Sequence, residues 1–218
     1  SLQRNSGVCS AQHRINFTPT VAEIVEIAVP HLDTAPNPVV SFGQGCEGEP
    51  LMNPQLLYQA IKGIRQKTAR GTINLNSNAS RPDVIIKLIE AGLDSLRVSL
   101  NSARPQFYTR YFRPRNYTFD AVLESIRLMK NANRFVSINY FTFPGFSDQP
   151  SEIKAFEKIL ADYNIDLIQW RNLNIDPEWY WEELNPPEED GLGIRQLIEY
   201  YQAEFPRLRH GYFNPSLK

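Results

Sequence analysis

Five short segments rich in β-branched and aromatic residues alternate along this chain with segments of helical periodicity, the pattern of βα units and a parallel sheet. Strands are predicted at 39–42, 72–76, 95–100, 135–141 and 167–173. Helices are predicted at 53–67, 84–91, 119–131, 152–163 and 193–204. One more helix precedes the first strand. The capping box Thr20-Val-Ala-Glu23 opens it, and Pro30 should stop it near residue 28. A second box, Ser80-Arg-Pro-Asp83, is expected to open the helix at 84, and Gly92 to end it. The leading helix has no strand before it, so the repeat lacks its first strand. No low-complexity linker divides the chain. One domain over 1–218 is expected, with its core at about 15–175 and a helical extension over about 176–218.

The later four strands narrow the architecture. Strands covered by helices on both faces read as continuous apolar runs. Here Ile73 and Leu75 alternate with Asn74 and Asn76, and Leu96, Val98 and Leu100 with Arg97, Ser99 and Asn101. Val136 and Ile138 alternate with Ser137 and Asn139, and Ile168 and Trp170 with Gln169 and Arg171. Side chains at i and i+2 share a face, so one face of the sheet is apolar and the other carries amides, hydroxyls and guanidinium groups. Burying that polar face under helices would cost roughly 1–3 kcal/mol per unpaired group. Curvature avoids the cost: helices outside, polar residues around a lumen. The expected fold is α/β, a partial TIM-type (βα) barrel of parallel strands with about five βα units. The alternative is that these groups satisfy one another. In such barrels the site lies at the C-terminal ends of the strands, where the loop 43–50, Asn78, Asn101 and the segment after Asn139 all fall.

Composition narrows the class. With 218 residues, 42% hydrophobic and 22% charged, the chain has enough apolar mass for a core without covalent staples. A net charge of −1 offers no electrostatic case for nucleic acid or an anionic membrane. No apolar run reaches the roughly 18 residues that span a bilayer. Cys9 and Cys46 form no C-x-x-C pair, and His13, His31 and His210 are isolated, so no zinc-type spacing exists. Two distant thiols suit a reducing cytoplasm.

Gly43-Gln-Gly45-Cys-Glu-Gly48 formally matches the dinucleotide-binding glycine pattern between a strand and a helix. Three features reject it. Glu47 and Glu49 would face a pyrophosphate, Pro50 delays the helix, and the next strand ends in Asn76-Ser-Asn78 rather than in an acid suited to a ribose. Two carboxylates and glycine-freed carbonyls suit a cation instead, such as an amino group.

Gly48-Glu49-Pro50, following the strand 39–42, resembles the GGEP motif of the radical S-adenosylmethionine (radical SAM) enzymes. Ser77-Asn78-Ala79-Ser80 is similar to that family's T-N-G segment. The run from Ile89 through Ala91-Gly-Leu-Asp94 to Val98-Ser99-Leu-Asn101 is similar to its L-x-x-A-G-L-D-x-L-x-V-S-L passage, and Ser137-Ile-Asn139 to its next strand. The resemblance covers about 15–175. It implies that the Gly48, Glu49 and Pro50 loop holds the methionyl ammonium of S-adenosylmethionine. Ser99 and Asn101 would face the ribose or carboxylate. Asn139, Gln169 and Arg171 would complete the pocket, with Asn78 shaping the same wall. Cys46 and Glu47 stand where many members have a second adjacent glycine.

The family's C-x-x-x-C-x-x-C motif, which binds a [4Fe–4S] cluster, is absent, and on this reading the missing strand and its cysteines lie upstream of Ser1. In the full-length protein the resemblance implies reductive cleavage of S-adenosylmethionine to a 5′-deoxyadenosyl radical, which abstracts hydrogen from a substrate. The electron donor would be a flavodoxin or ferredoxin. The chain alone should show no radical activity. Two rivals stay open: a cluster-independent barrel lyase or isomerase, disfavoured because no strand carries an inward lysine, and a non-catalytic binding domain derived from such a barrel. The arginine- and aromatic-rich loop 104–115 is expected to be a solvated helix with packing aromatics, a grip on a phosphate or acidic partner being the alternative, and the acidic stretch 170–181 a packed lid.

Overall fold

A computed structural model describes residues 17–43 and 48–218. Helix α1 (Val21–Thr34) opens on the Thr20–Glu23 capping box. It does not stop at Pro30, contrary to the sequence expectation. The buried stripe Val25, Ala28, Leu32 continues past the proline, and seating Leu32 in the core outweighs the lost backbone bond. Strand β1 (Val39–Phe42) follows, then a short 3₁₀ turn (Pro50–Met52) and α2 (Pro54–Lys67). Next come β2 (Thr72–Ser77), α3 (Pro82–Ala91) and β3 (Ser95–Leu100). The Ser80 capping box does not form. Arg81 is the cap residue, with no side-chain cap bond, and Asp83 pairs with Arg81 instead. Gly92 does end α3, in the left-handed conformation.

The second half holds α4 (Pro105–Phe112), α5 (Phe119–Asn131, capped by Thr118), β4 (Phe135–Thr142) and α6 (Pro150–Tyr163). After them come β5 (Leu167–Asn172), α7 (Pro177–Leu184), α8 (Ile194–Glu204) and β6 (Arg209–Gly211). All six strands are parallel and lie in chain order in one open sheet. β6 was not anticipated; three residues with two bases among them carry no strand pattern. It extends the barrel sheet into the segment expected to be a helical extension.

The apolar strand faces (Ile73, Leu75, Leu96, Val98, Val136, Ile138, Ile168) are buried against the inner stripes of the helices, forming the main core. A second, mostly aromatic cluster of Phe107, Phe141, Phe143, Phe146, Tyr180 and Leu184 lies above β4 and joins α4 to α7. The arginine-rich loop is thus a helix with a solvated face and packed aromatics, and the acidic stretch carries a helix that packs on it through Tyr180 and Leu184. Among the described residues no helix is long and apolar enough to cross a membrane.

Two buried charge clusters brace the strand ends. At the N-terminal ends, Asp94 accepts from the Ile73 amide and pairs with Arg65, Arg134 and Lys218. An open cleft of about 650 Å³ lies beside this cluster, away from the C-terminal ends of the strands, and Lys130–Asp166 is a further ion pair in its wall. At the opposite end, Glu152, fully buried, accepts from Ser102 Oγ (2.7 Å), the Ala103 amide (2.6 Å), Arg104 Nε (2.7 Å) and Tyr140 Oη (2.9 Å). The Arg104 guanidinium also lies 4.2 Å from the centre of the Phe107 ring.

β6 is held by its histidine. The His210 ring stacks on Trp170 and its Nδ1 accepts from Trp170 Nε1 at 3.0 Å. Burial holds the imidazole below its ordinary pKa of 6.5, because the charged form is poorly solvated there. The unfolded chain therefore takes up this proton first on acidification. The stabilising contribution is present above the unfolded value and is lost as pH falls through about 6.5 and below. His210→Gln should flatten that part of the stability–pH profile, measured by urea denaturation between about pH 7.5 and 5. An unchanged slope would show that His210 does not titrate differently on folding.

Candidate active site

Strand register arranges the inward residues in three rungs. The lowest runs Ser41–Asn74–Ser95, the middle Asn76–Arg97–Ser137–Leu167, and the upper Ser99–Asn139–Gln169–Gly211. Phe141 and Arg171 pair one step higher still. The polar wall read from alternation is real, and it splits into two chemically different parts.

The lower part is bonded largely within itself, with Asn214 Oδ1 left without a partner among the described residues. Ser95 Oγ donates to Asn74 Oδ1 (2.6 Å), and Asn74 Nδ2 donates to Asn76 Oδ1 (2.9 Å) and Ser41 Oγ (3.1 Å). The C-terminal segment returns from β6 to close the set: Asn214 Nδ2 donates to Ser41 Oγ at 2.8 Å, and the Leu217 amide to Thr72 Oγ1 at 2.7 Å. No local signal in the sequence marks Asn214 as part of this wall. The reading that these groups merely satisfy one another holds here.

The upper part stays open. Asn139 Oδ1 and Arg97 Nε are buried without a hydrogen-bond partner among the described residues. Arg97 Nη1 reaches past β4 to donate to Gln169 Oε1 at 2.6 Å, so β3 and β5 face each other across a curved sheet. Ser99 is half-buried on the same rung, and Arg171 stands exposed at its mouth.

The loop between β1 and α2 is tied to the end of β2. Gly43, at φ +79°, ends β1, and a Cβ there would run into the Asn76 carbonyl oxygen and the Pro50 ring, so only glycine fits. Gly48 has φ +103° with open space where a side chain would stand, leaving its backbone approachable. The Glu49 carboxylate is hydrogen-bonded within the protein. It accepts from the Leu51 amide (3.0 Å), Ser77 Oγ (2.6 Å) and the Asn78 amide (2.8 Å). Glu49 therefore fixes the Gly48–Pro50 loop to the β2 loop. Glu47, Cys46 and Cys9 lie outside the described residues.

Two more expected residues make hydrogen bonds within the protein. Asn78 Oδ1 accepts from the Ser80 amide at 3.0 Å, shaping the turn after β2. Asn101 is fully buried beyond the end of β3, and its Nδ2 donates to the Phe107 carbonyl and to Tyr180 Oη, both at 3.1 Å. Its Oδ1 remains unpartnered. Asn101 Nδ2 thus ties α4 to α7. The structure brings together Ser99, Asn139, Gln169 and Arg171, and sets the Gly48–Pro50 loop near the end of β2. Tyr108 and Tyr117 are unanticipated neighbours. Their hydroxyls bond at 3.2 Å, and burial together with the negative charge of Glu49 pushes the Tyr117 phenol above its ordinary range.

An open parallel barrel with a glycine-acid-proline loop at the C-terminal ends of its strands has known counterparts. The family model of the radical SAM superfamily matches residues 9–156, and the chain belongs to that superfamily. No curated protein matches the sequence. Solved structures agree in fold at low identity. A domain of pyruvate-formate lyase-activating enzyme from Bacteroides vulgatus matches with TM-score 0.56 and 16% identity, over 79% of this chain and 98% of that one. Streptococcus suis SuiB, solved bound to S-adenosylmethionine, matches with TM-score 0.59 and 14% identity over 93% of this chain. A radical SAM methyltransferase from Sphaerobacter thermophilus matches with TM-score 0.58 and 16% identity over 88%. The chain spans about half the length of the last two, 45% and 56%.

The open rung fits a polar, hydrogen-bonding ligand: it carries the Ser99 hydroxyl and the Asn139 amide with its orphaned oxygen. Among the described residues no group of three His, Cys, Asp or Glu side chains is placed to hold a metal ion, so these residues supply no ligand set for a cluster.

Proposed function

We propose that the upper rung and the Gly48–Pro50 loop form the S-adenosylmethionine pocket of a radical SAM enzyme, with the cluster ligands contributed from outside the described residues. Asn139 carries the reading. Its amide oxygen is buried and unpartnered between Ser99 and Gln169, an arrangement that costs about 1–3 kcal/mol unless a ligand or water fills it. The family's cofactor, when bound with its cluster, supplies a 5′-deoxyadenosyl radical that takes a hydrogen atom from substrate. The chain's own residues bind and orient. Backbone carbonyls of the Gly48–Pro50 loop accept from the methionyl ammonium, and Glu49 sets their position. Ser99 and Asn139 bond the ribose or carboxylate, while Gln169 and Arg171 close the far side. The aromatic cover of α4 and α7 keeps water from the mouth. The electron would come from a flavodoxin- or ferredoxin-type donor.

One observation favours a second reading, a barrel that binds without radical chemistry. The family match begins at residue 9, and Cys9-x-x-x-His13-x-x-Asn16 repeats the spacing of the family's cysteine triad with only one cysteine. Two measurements on the full-length protein separate the readings: iron and acid-labile sulfide after anaerobic reconstitution, and calorimetric titration with S-adenosylmethionine. Four irons per chain with saturable binding is the expected result. Binding without iron would support the second reading, and no binding would overturn the pocket.

A further inference from the structure

Arg97 and Arg171 face the lumen from β3 and β5, and neither belongs to any ion pair among the described residues. That sets them apart from the other charged groups around them. Arg104 is matched by Glu152, Arg113 by Glu183 and Arg134 by Asp94. Glu49 is committed to Ser77 and Asn78. The lumen therefore carries two positive charges with no counter-charge from the described wall.

The geometry of Arg97 is specific. Gln169 Oε1 takes Nη1 at 2.6 Å and pins the guanidinium, while Nε is buried and unpartnered. The free edge is then the Nε–Nη2 fork, whose two parallel N–H groups match two oxygens of a carboxylate or phosphate. A pinned fork loses little rotamer freedom on binding, which favours recognition over general attraction. Two guanidinium groups held across one opening also repel each other. Burial and the charge of Arg171 both hold Arg97 below its usual basicity. An anion between them would remove the strain.

We infer that the Arg97 fork, with Arg171 above it, is a binding site for an oxyanion, a carboxylate or phosphate, on the second reactant. The inference rests on the S-adenosylmethionine reading of the upper rung and adds to it the substrate class: an anionic small molecule or an acidic group on a larger one. Gln169 acts as a positioning residue, holding the fork toward the lumen.

The test uses the full-length, cluster-reconstituted protein titrated at constant ionic strength with succinate and with inorganic phosphate, with and without saturating S-adenosylmethionine. The two probes distinguish carboxylate from phosphate. Wild type should give a saturable isotherm with one of them. Arg97→Gln and Arg171→Gln should each weaken it about tenfold or more, and Arg97→Lys, which keeps the charge but loses the fork, should weaken it by about as much. S-adenosylmethionine affinity should stay within about threefold in the two Arg97 variants, and the folding of all variants is checked by thermal melting. A tenfold loss of S-adenosylmethionine affinity in the Arg97 variants would overturn the inference, because that arginine would then serve the cofactor's own carboxylate. Absence of anion binding, or binding that the variants leave unchanged, would overturn it too. If wild type bound the anion but not S-adenosylmethionine, the pocket reading would fail and the assignment to a second reactant with it.

Discussion

Glu152→Ala is expected to destabilise the protein by about 3–5 kcal/mol, the largest effect of any single substitution proposed. The carboxylate is fully buried and satisfies four donors, among them the nearly buried guanidinium of Arg104. Removing it strands that positive charge beneath Phe107 and Phe146 and leaves the Ala103 amide and the Tyr140 hydroxyl without an acceptor. Arg104→Met combined with Glu152→Leu should recover part of the loss, because the desolvated charge disappears with its partner. Urea denaturation of both variants reads this directly. A Glu152→Ala loss under about 1 kcal/mol would show that the loop after β3 is held by something else.

Glu49→Ala should have the largest effect on ligand binding. The carboxylate joins the Gly48–Pro50 loop to the β2 loop through three donors. Its loss should cost about 2–4 kcal/mol of stability, since hydrogen bonds to a charged acceptor contribute about 1.5–3 kcal/mol each and neighbouring ones are not additive. S-adenosylmethionine affinity should fall by about tenfold to a hundredfold, because the loop carbonyls lose their fixed position. Glu49→Gln keeps the shape but turns an amide N–H₂ toward the Asn78 or Ser77 donor, so it should fall between wild type and Glu49→Ala. Calorimetry on folded fractions checks both. Wild-type affinity in Glu49→Ala would mean that the loop does not form the pocket.

The strand pattern carried most of the architecture because each of the four strands β2 to β5 declares its two faces residue by residue. The polar face was legible for the same reason: Asn, Ser and Arg at every second position have few stable homes except a lumen. The division of that face was not legible, because it depends on Asn214, which comes back across the lumen from beyond β6 to bond Ser41. β6 itself is too short to carry alternation. Pro30 misled through a local rule that the burial of Leu32 overrides. The Gly48–Pro50 motif was legible in the sequence, but the contacts of Glu49 were visible only once Ser77 and Asn78 stood opposite it. Asn101 shares the parity of Ser99, yet the chain leaves the strand before it, so parity no longer dictates where the side chain goes.

The central claim is that the upper rung, and not the self-satisfied lower one, is the S-adenosylmethionine pocket. Calorimetric titration of S-adenosylmethionine into the full-length protein carrying Asn139→Ala or Asn74→Ala tests it most directly. Asn139→Ala should weaken binding by about tenfold or more, whereas Asn74→Ala should lower stability and leave the affinity of the folded protein within about threefold. Equal affinity in Asn139→Ala and wild type, or a larger loss in Asn74→Ala, would contradict it.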